Sequence, residues 1–293
     1  MTVEAQDSTL DRPVDGALPG LADETEDRSR AQQVAAHRRR AKQLQTIAIR
    51  IASLTVVLSL WQFVGAGIDP VLFTTPTKVF AAAVTMIGSG ELWTYLWPSL
   101  VVLGIGLTFA AVIGIATGLL LARFWMLDVA LGVYITFLYS TPSVALVPLI
   151  VLWAGFETTA KVIILFLFAF FPMAINTYQG VKNVDSTLLE VGRAFRCSER
   201  QLWVNIVLPG ALPFIVTGLR LAVGRGLIGM VLADLYTAIS GIGYLIVRTA
   251  STFQVDRMFV PIVTLGLLGV TLTALLRLLE SRVAPWTSAG EQD

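Results

Sequence analysis

The 293-residue sequence contains one cysteine, Cys197, and one histidine, His37. A single cysteine cannot form an internal disulfide or a multi-cysteine metal site. His37 lies among arginines in a polar N-terminal stretch, so the rest of the chain has no imidazole for a catalytic triad or a histidine-rich metal site. The scarcity of cysteine and histidine therefore excludes enzymes that depend on a histidine-containing triad or on a multi-cysteine or histidine-rich metal site.

Charged residues are also scarce. They make up 14% of the chain, whereas soluble domains carry about 25%. Eight of the 20 acidic residues lie within the first 27 positions, which leaves the remaining sequence still poorer in charge. Hydrophobic residues reach 55%, and the mean hydropathy is +0.74. This composition indicates an integral membrane protein.

Six apolar stretches are long enough to cross a membrane, which takes about 20 residues per helix. We therefore predict an all-α, polytopic membrane helix bundle with about six transmembrane helices. Prolines within the third stretch (Pro142 and Pro148) and the fourth (Pro172) predict kinks. The stretches cover residues 47–67, 95–122, 129–154, 160–180, 211–236 and 258–279.

The flanking segments predict the domain organisation and orientation. Residues 1–45 are predicted to be a disordered polar cytoplasmic tail, 46–282 a six-helix transmembrane domain, and 283–293 a short cytoplasmic tail. Lys and Arg are concentrated in the flanks on the side of the two termini, which places both termini in the cytoplasm. The flanks on the other side carry only Lys78, Lys161, Arg248 and Arg257.

The connection between the fourth and fifth stretches, residues 185–209, reads DSTLLEVGRAFRCSERQLWVNIVLP. Thr187 with Glu190, and Ser198 with Gln201, have the spacing of capping boxes that open two short helices. Pro209 is predicted to close the second helix. Both helices are too short to span a membrane, so we expect them at or beyond its inner surface.

Each short helix has an apolar face. Leu188, Val191 and Phe195 can share one face of the first, and a second set can share a face of the other. Two interpretations remain open at this point, namely an interfacial helix resting on lipid and a docking surface for a cytoplasmic partner. The second set is Leu202, Trp203 and Ile206.

The same connection resembles the EAA loop of binding-protein-dependent ABC importer permeases. That pattern runs Glu-Ala-Ala, three residues, Gly, nine residues, Ile, one residue, Leu-Pro. This chain keeps every spacing, but it replaces the two alanines by Val191 and Gly192, and the glycine by Arg196. If the glycine serves a left-handed turn, an arginine there is mildly strained. The alternative is a turn rebuilt around the arginine. The resemblance implies that the ATPase-docking (coupling) residues are Glu190, Val191, Gly192, Arg196, Ile206, Leu208 and Pro209.

Further segments resemble the nitrate/sulfonate/taurine branch of these permeases, so the resemblance covers roughly residues 45–280. They are TPTKVFAA at 75–82, STPSVALVPLIVLWAGF at 140–156, GLRLAVGRGLIGMVLADL at 218–235 and GIGYLI at 241–246.

The resemblance implies a type I ABC importer permease in a bacterial inner membrane, working by alternating access. Its expected partners are a cytoplasmic ATPase dimer, an extracytoplasmic solute-binding protein and a second permease subunit, by default another copy of this chain. ATP and Mg²⁺ would be bound by the ATPase, because this chain has no G-x-x-x-x-G-K-[ST] loop. The solutes of this branch include sulfonates and taurine, nitrate-type anions, pyrimidine precursors and aromatic carboxylates.

Three charged residues, Arg220, Arg225 and Asp234, lie inside the fifth apolar stretch. Charges at membrane depth are costly unless they are paired or hydrated. Along a helix, Arg225 and Asp234 are about 13 Å apart, so they cannot pair with each other. Arg225 could face the solute path and favour an anion, or both arginines could be structural, and the resemblance favours the structural role. Asp234 is expected near the outer mouth, in contact with water.

Two other classes of membrane protein are alternatives. A membrane-embedded enzyme needs a cluster of reactive side chains at membrane depth, and only Asp234 and Glu157 come close. A secondary transporter commonly shows two repeats and coupling carboxylates near the midplane, neither of which stands out. Both alternatives leave the EAA-like connection unexplained, so we expect a non-catalytic permease subunit.

Overall fold

The computed structural model describes the backbone of residues 19–283 and the side chains of Lys42 and residues 44–278. Every regular element in this part of the chain is a helix, as predicted. The elements are α1 (Pro19–Ala66), α2 (Pro76–Gly88), α3 (Glu91–Arg123), α4 (Trp125–Ser140), α5 (Ser143–Ala154), α6 (Thr158–Lys182), α7 (Ser186–Ala194), α8 (Glu199–Leu202), a π-helical turn (Trp203–Val207), α9 (Leu208–Thr237), α10 (Ile242–Ser251) and α11 (Val255–Val283).

Five of the described helices are long and apolar enough to cross a membrane, and a bent pair makes a sixth. The prediction of about six spans is therefore confirmed. The spans are Leu44–Ala66, Glu91–Arg123, Thr158–Lys182, Glu199–Thr237, Val255–Leu278, and the pair Trp125–Ser140 and Ser143–Ala154.

The third predicted span is broken rather than kinked. Its two halves, α4 and α5, meet at an angle of 97°. Pro142 has no N–H to donate and disfavours the helical conformation at the residue before it. Accordingly, Thr141 is extended, with φ −72° and ψ 132°. Helical pairing stops at this point and resumes at Ser143.

The N-terminal boundary differs from the prediction. The backbone is helical from Pro19, so residues 19–45 of the predicted disordered tail belong to α1. This segment is rich in Ala, Gln and Arg, which are good helix formers. Residues 1–18 and 284–293 of the predicted tails lie outside the described residues. The chain divides into two units, one ending at Trp61 and one beginning at Gln62.

The core of the second unit is built around α6, which packs against both α3 and α9, and these two helices also contact each other. Glycines allow these helices to approach closely. A Cβ atom on Gly114 of α3 would lie 2.8 Å from the Cβ of Met173, and one on Gly118 would lie 2.6 Å from the Cβ of Thr177. Small residues at such contacts let membrane helices pack closely, so α3, α6 and α9 form a tightly packed centre.

Candidate functional site

The connection between α6 and α9 begins with α7, and its cap differs from the prediction. Asp185 occupies the N-cap position, and its side chain accepts a hydrogen bond from the Thr187 amide at 2.8 Å. The predicted capping box of Thr187 with Glu190 is therefore wrong. Asp caps at least as well as Thr, and here it lies two residues earlier in the chain. The second box is confirmed, because Ser198 and Gln201 cap α8 reciprocally.

The turn after α7 is a Schellman motif with an arginine in the glycine position. The Arg196 amide donates to the Arg193 carbonyl at 2.9 Å, and the Cys197 amide donates to the Gly192 carbonyl at 3.0 Å. This pair of bonds defines the motif and places its C′ residue in the left-handed region. Arg196 has φ 54°, so of the two alternatives the structure shows the left-handed turn and not a rebuilt one.

Gly192 is the closest point between α7 and the segment that follows. It is buried, and a Cβ atom there would lie 2.5 Å from Leu202 Cδ2 and 2.9 Å from Ile206 Cδ1. The absence of a side chain therefore lets the two short helices pack directly on each other. The sequence predicted one apolar face of Leu202, Trp203 and Ile206 for the second helix. Leu202 and Ile206 are turned towards α7, whereas the Trp203 ring contacts Arg123.

A neighbouring side of α7 is exposed and apolar. Leu188, Val191 and Phe195 are 54%, 48% and 80% exposed, respectively. Their spacing puts them on one helical face, as predicted, and we call this set the α7 face. Glu190 of the EAA-like motif is also exposed.

The predicted end of the second short helix at Pro209 is wrong. The chain stays helical from Glu199 to Thr237, a run of 39 residues. A π-helical turn from Trp203 to Val207 precedes the proline, and the Leu208 amide bonds to the Trp203 carbonyl five residues back. Pro209 then falls in the first turn of α9, where a missing N–H is tolerated. Leu208 and Pro209 of the motif therefore join α8 to the membrane span.

A contact from α3 holds the start of this helix. The Arg123 guanidinium lies 4.8 Å from the centroid of the Trp203 ring and 3.7 Å from the Glu199 carboxylate. The sequence predicted no contact for Arg123, which lies in the basic flank after the second apolar stretch. Because Arg123 is the last residue of α3, it ties the end of that helix to α8.

Asp234 is not in contact with water, contrary to the prediction. Its side chain is 1% exposed and that of Lys161 is 3% exposed, and Lys161 Nζ lies 2.8 Å from Asp234 Oδ1. Lys161 also donates to the backbone oxygen of Ser240 at 2.5 Å and to its hydroxyl at 3.1 Å. All three ammonium hydrogens therefore have acceptors. The sequence indicated only a flanking charge for Lys161, which directly precedes a long apolar run.

The second carboxylate oxygen of Asp234, Oδ2, accepts hydrogen bonds from two other parts of the chain. Ser99 of α3 donates to Oδ2 at 2.5 Å and accepts from the Ile242 amide at 2.8 Å, while the Gly243 amide donates to the same Oδ2 at 3.4 Å. Gly241, with φ 103°, lies so close that a Cβ atom would be 2.2 Å from the carboxylate. These contacts join α3, α6 and α9 to the turn before α10.

The two arginines of α9 have different environments. Arg220 is half-buried and Arg225 is exposed. Arg225 donates to the Tyr139 hydroxyl at 3.1 Å, and its guanidinium carbon lies 4.8 Å from the centroid of that ring. Tyr139 lies at the end of α4, next to the break between α4 and α5. The structure therefore brings Asp234 together with Lys161, and Arg225 together with Tyr139.

Tyr139 also lines a cavity of about 890 Å³. The cavity runs along α4 and α6, and its surface is mostly apolar. Asp128, Tyr178 and Gln179 lie at the end away from Tyr139. Tyr178 donates to Asp128 at 2.8 Å, and Lys182 lies 3.4 Å from the same carboxylate. Within the described part of the chain, no group of three His, Cys, Asp or Glu side chains could hold a metal ion.

Two curated relatives cover most of the chain. One is the putative aliphatic sulfonates transport permease protein SsuC of Bacillus subtilis, which is 31% identical over 80% of this chain and 86% of that protein. The other is the formylaminopyrimidine transport permease protein ThiX of Halalkalibacterium halodurans, 32% identical over 79% of this chain and 92% of that protein. Both are named as transport permeases, which is a non-catalytic role.

A solved structure shares the fold. It is an inward-facing MetNI methionine ABC transporter, matched at a TM-score of 0.50 and 20% identity over 66% of this chain and 94% of that one. The family model for the inner membrane component of binding-protein-dependent transport systems matches residues 110–285. This chain therefore belongs to that family of multi-pass inner-membrane permeases, whose members are the transmembrane subunits of ABC importers.

Proposed function

We propose that this chain forms the translocation path for a small anionic solute and that alternating access is driven by a separate ATPase docked on α7 and α8. The observation that carries the proposal is the exposed α7 face. Apolar side chains grouped on a surface beyond the membrane spans favour a protein partner. The family supplies the class of partner, because its members work with an ATPase and a solute-binding protein.

The α7 face is well placed for docking. Phe195 stands at its end, next to the Schellman turn. Gly192, on a neighbouring side of α7, packs closely against Leu202 and Ile206. The face is therefore held on a firm support rather than on a free loop. A partner that covered Leu188, Val191 and Phe195 would bury most of their exposed apolar surface.

The continuity of α8 with α9 suggests how docking is coupled to the path. A displacement of α7 would press on Leu202 and Ile206 through the contact at Gly192. Because these residues belong to the same 39-residue helical run as Arg225, the motion would pass into the membrane without crossing a loop. Arg123 adds a second connection, from α8 to α3.

We propose that both termini and the α6–α9 connection lie in the cytoplasm. The concentration of Lys and Arg in these flanks supports that orientation. We also propose that two copies of this chain assemble around the path. An arginine exposed at membrane depth supports this assembly, because the face that carries it is poorly suited to lipid.

We propose a sulfonate or a related small organic or inorganic anion as the solute. The aliphatic sulfonate permease supports this class, whereas the formylaminopyrimidine permease is matched at a similar identity. The nitrate-type anions and aromatic carboxylates expected from the sequence belong to the same chemical class of oxyanions.

The docking proposal is tested by co-purification. The tagged full chain is expressed with candidate ATPase subunits, and wild type is compared with Glu190→Arg and with Glu157→Arg. Glu157 is also exposed but precedes α6, on the opposite side of the membrane in the proposed orientation. We expect the ATPase to be retained by wild type and by Glu157→Arg and to be released by Glu190→Arg. A stable wild-type chain that never retains an ATPase would overturn the proposal.

A further inference from the structure

Arg225 lies near the middle of α9, the part of its membrane span that follows the π-helical turn. It is 17 residues from the start of α9 and 12 from its end, or about 25 Å and 18 Å at 1.5 Å per residue. Its side chain is exposed. An ionised group at this depth is costly against lipid and usually faces water or a protein interior. The Arg225 side of α9 therefore faces a hydrated or protein-lined space.

The charge of Arg225 is not neutralised within the described part of the chain. No described carboxylate lies within 4.0 Å of its guanidinium, and its hydrogen-bond partner is the neutral Tyr139 hydroxyl. The guanidinium has five N–H donors, and its flat fork matches the paired oxygens of an oxyanion. After the bond to Tyr139, enough donors remain for a two-oxygen contact.

The break between α4 and α5 is further evidence for a hydrated space. Non-helical backbone at membrane depth is tolerated only where it is buried in protein or lines a water-filled cavity. Thr141 and Pro142 form such a segment, and Pro142 is exposed. Tyr139, which bonds to Arg225, lies directly before this break. The non-helical backbone and the charge of Arg225, both unfavourable in lipid, therefore lie close together.

The cavity described above runs along α4 between Tyr139 and Asp128. Asp128, at its far end, is 11 residues from Tyr139, which is about 16 Å along a helix. The carboxylate of Asp128 is offset by Lys182 and Tyr178, whereas the charge of Arg225 is not offset. Arg225 bonds to Tyr139, which lines the cavity, so an anion in this space would be drawn to the end that holds Tyr139.

We infer that Arg225 and Tyr139 form a subsite for the oxyanion group of the solute near the middle of the membrane. Arg225 supplies the charge and two donors, while Tyr139 holds the guanidinium and can offer its own O–H to the same anion. This inference rests on the proposed function, because it assigns the solute class to a position in the proposed path. Sulfonate, carboxylate and nitrate-type groups share the required chemistry.

The test measures the binding of methanesulfonate, with uncharged dimethyl sulfone of similar size as the comparison ligand. The full chain is placed in lipid nanodiscs at constant ionic strength, and its unfolding midpoint is followed against ligand concentration. Binding to the folded state raises the midpoint by mass action. We expect a concentration-dependent rise with methanesulfonate and none with dimethyl sulfone.

Two variants locate the effect. Arg225→Gln should weaken the apparent affinity for methanesulfonate by about tenfold or more, since it removes a charge-assisted contact. Arg248→Gln is the matched control, because Arg248 also bonds to a tyrosine hydroxyl, that of Tyr95, but belongs to α10. An equal loss in both variants, or wild-type binding in Arg225→Gln, would overturn the inference.

Folding defects are handled by two milder changes. If Arg225→Gln does not fold, Arg225→Lys and Tyr139→Phe decide the matter. A weakened response in either folded variant supports the subsite, and an unchanged response in both overturns it. The same preparations are assayed for ATPase retention. A chain that retains its ATPase but ignores methanesulfonate refutes this inference and leaves the docking proposal intact.

Discussion

Breaking the Lys161–Asp234 pair should destabilise the protein strongly. Both side chains are almost fully buried, and the two charged atoms lie 2.8 Å apart. Asp234→Asn leaves the ammonium without a compensating charge, and Lys161→Met leaves the carboxylate without one. Removing one partner of a buried ion pair typically costs about 3–5 kcal/mol. We therefore expect each single substitution to lower the free energy of unfolding by about that amount.

The double variant separates the energy of the ion pair from the other effects of each substitution. Replacing Lys161 by Met and Asp234 by Asn together removes both charges, so neither partner is left uncompensated. The cost of the double variant should therefore fall well below the sum of the single costs, with a coupling of about 2–3 kcal/mol. The free energy of unfolding is measured on the full chain in detergent micelles by titration with SDS, followed by circular dichroism.

A partly exposed pair in the same protein is the control. Arg257 bonds to Glu91, and these side chains are 33% and 24% exposed. Glu91→Gln should cost no more than about 1 kcal/mol, because exposed ion pairs contribute little. Single costs at Lys161 and Asp234 as small as this, or a double variant that costs the full sum of the singles, would refute the reasoning.

Three other substitutions test close packing and backbone strain. Gly192→Val should push α7 away from its support and reduce ATPase retention about tenfold in a pull-down, whereas Gly104→Val meets no atom within 4 Å of its Cβ position and should retain it. Arg196→Gly should stabilise the turn by about 0.5–1 kcal/mol, as strain relief exceeds the entropy of glycine, and slow amide hydrogen exchange there. Gly241→Ala should cost about 1–3 kcal/mol more in SDS titration than Gly90→Ala, because only Gly241 combines positive φ with a blocked Cβ position.

Each of these three predictions would be contradicted by a specific result. Equal ATPase retention by the Gly192 and Gly104 variants would mean that α7 does not need close support. Faster exchange in Arg196→Gly would mean that the arginine side chain stabilises the turn by more than its backbone strain costs. Equal stability of the Gly241 and Gly90 variants would mean that the turn before α10 can move away from the buried carboxylate.

The sequence predicted the helical class and the number of spans because both depend on composition and length. A run of about 20 apolar residues has one dominant solution in a membrane. The exact ends of elements depend on weaker local contacts. Asp185 and Thr187 compete for one cap, and the difference between them is a fraction of a kcal/mol. The end predicted at Pro209 is wrong because a π-helical turn keeps the chain helical up to the proline. Pro209 then falls in the first turn of α9, where its missing N–H is tolerated. No simple sequence pattern indicates such a turn.

The charges of α9 show why the rest could not be predicted. Helix geometry correctly excluded a bond between Arg225 and Asp234. It could not identify Lys161 as the partner, because that choice depends on α6 packing beside α9 and on the turn at Ser240 folding back. In the structure, Asp234 and Arg225 have different electrostatic environments. Asp234 is neutralised on every side within the protein and therefore holds the bundle together, whereas Arg225 keeps its charge open to the space beside Tyr139. An uncompensated cation at that depth is costly, and a bound anion would offset that cost.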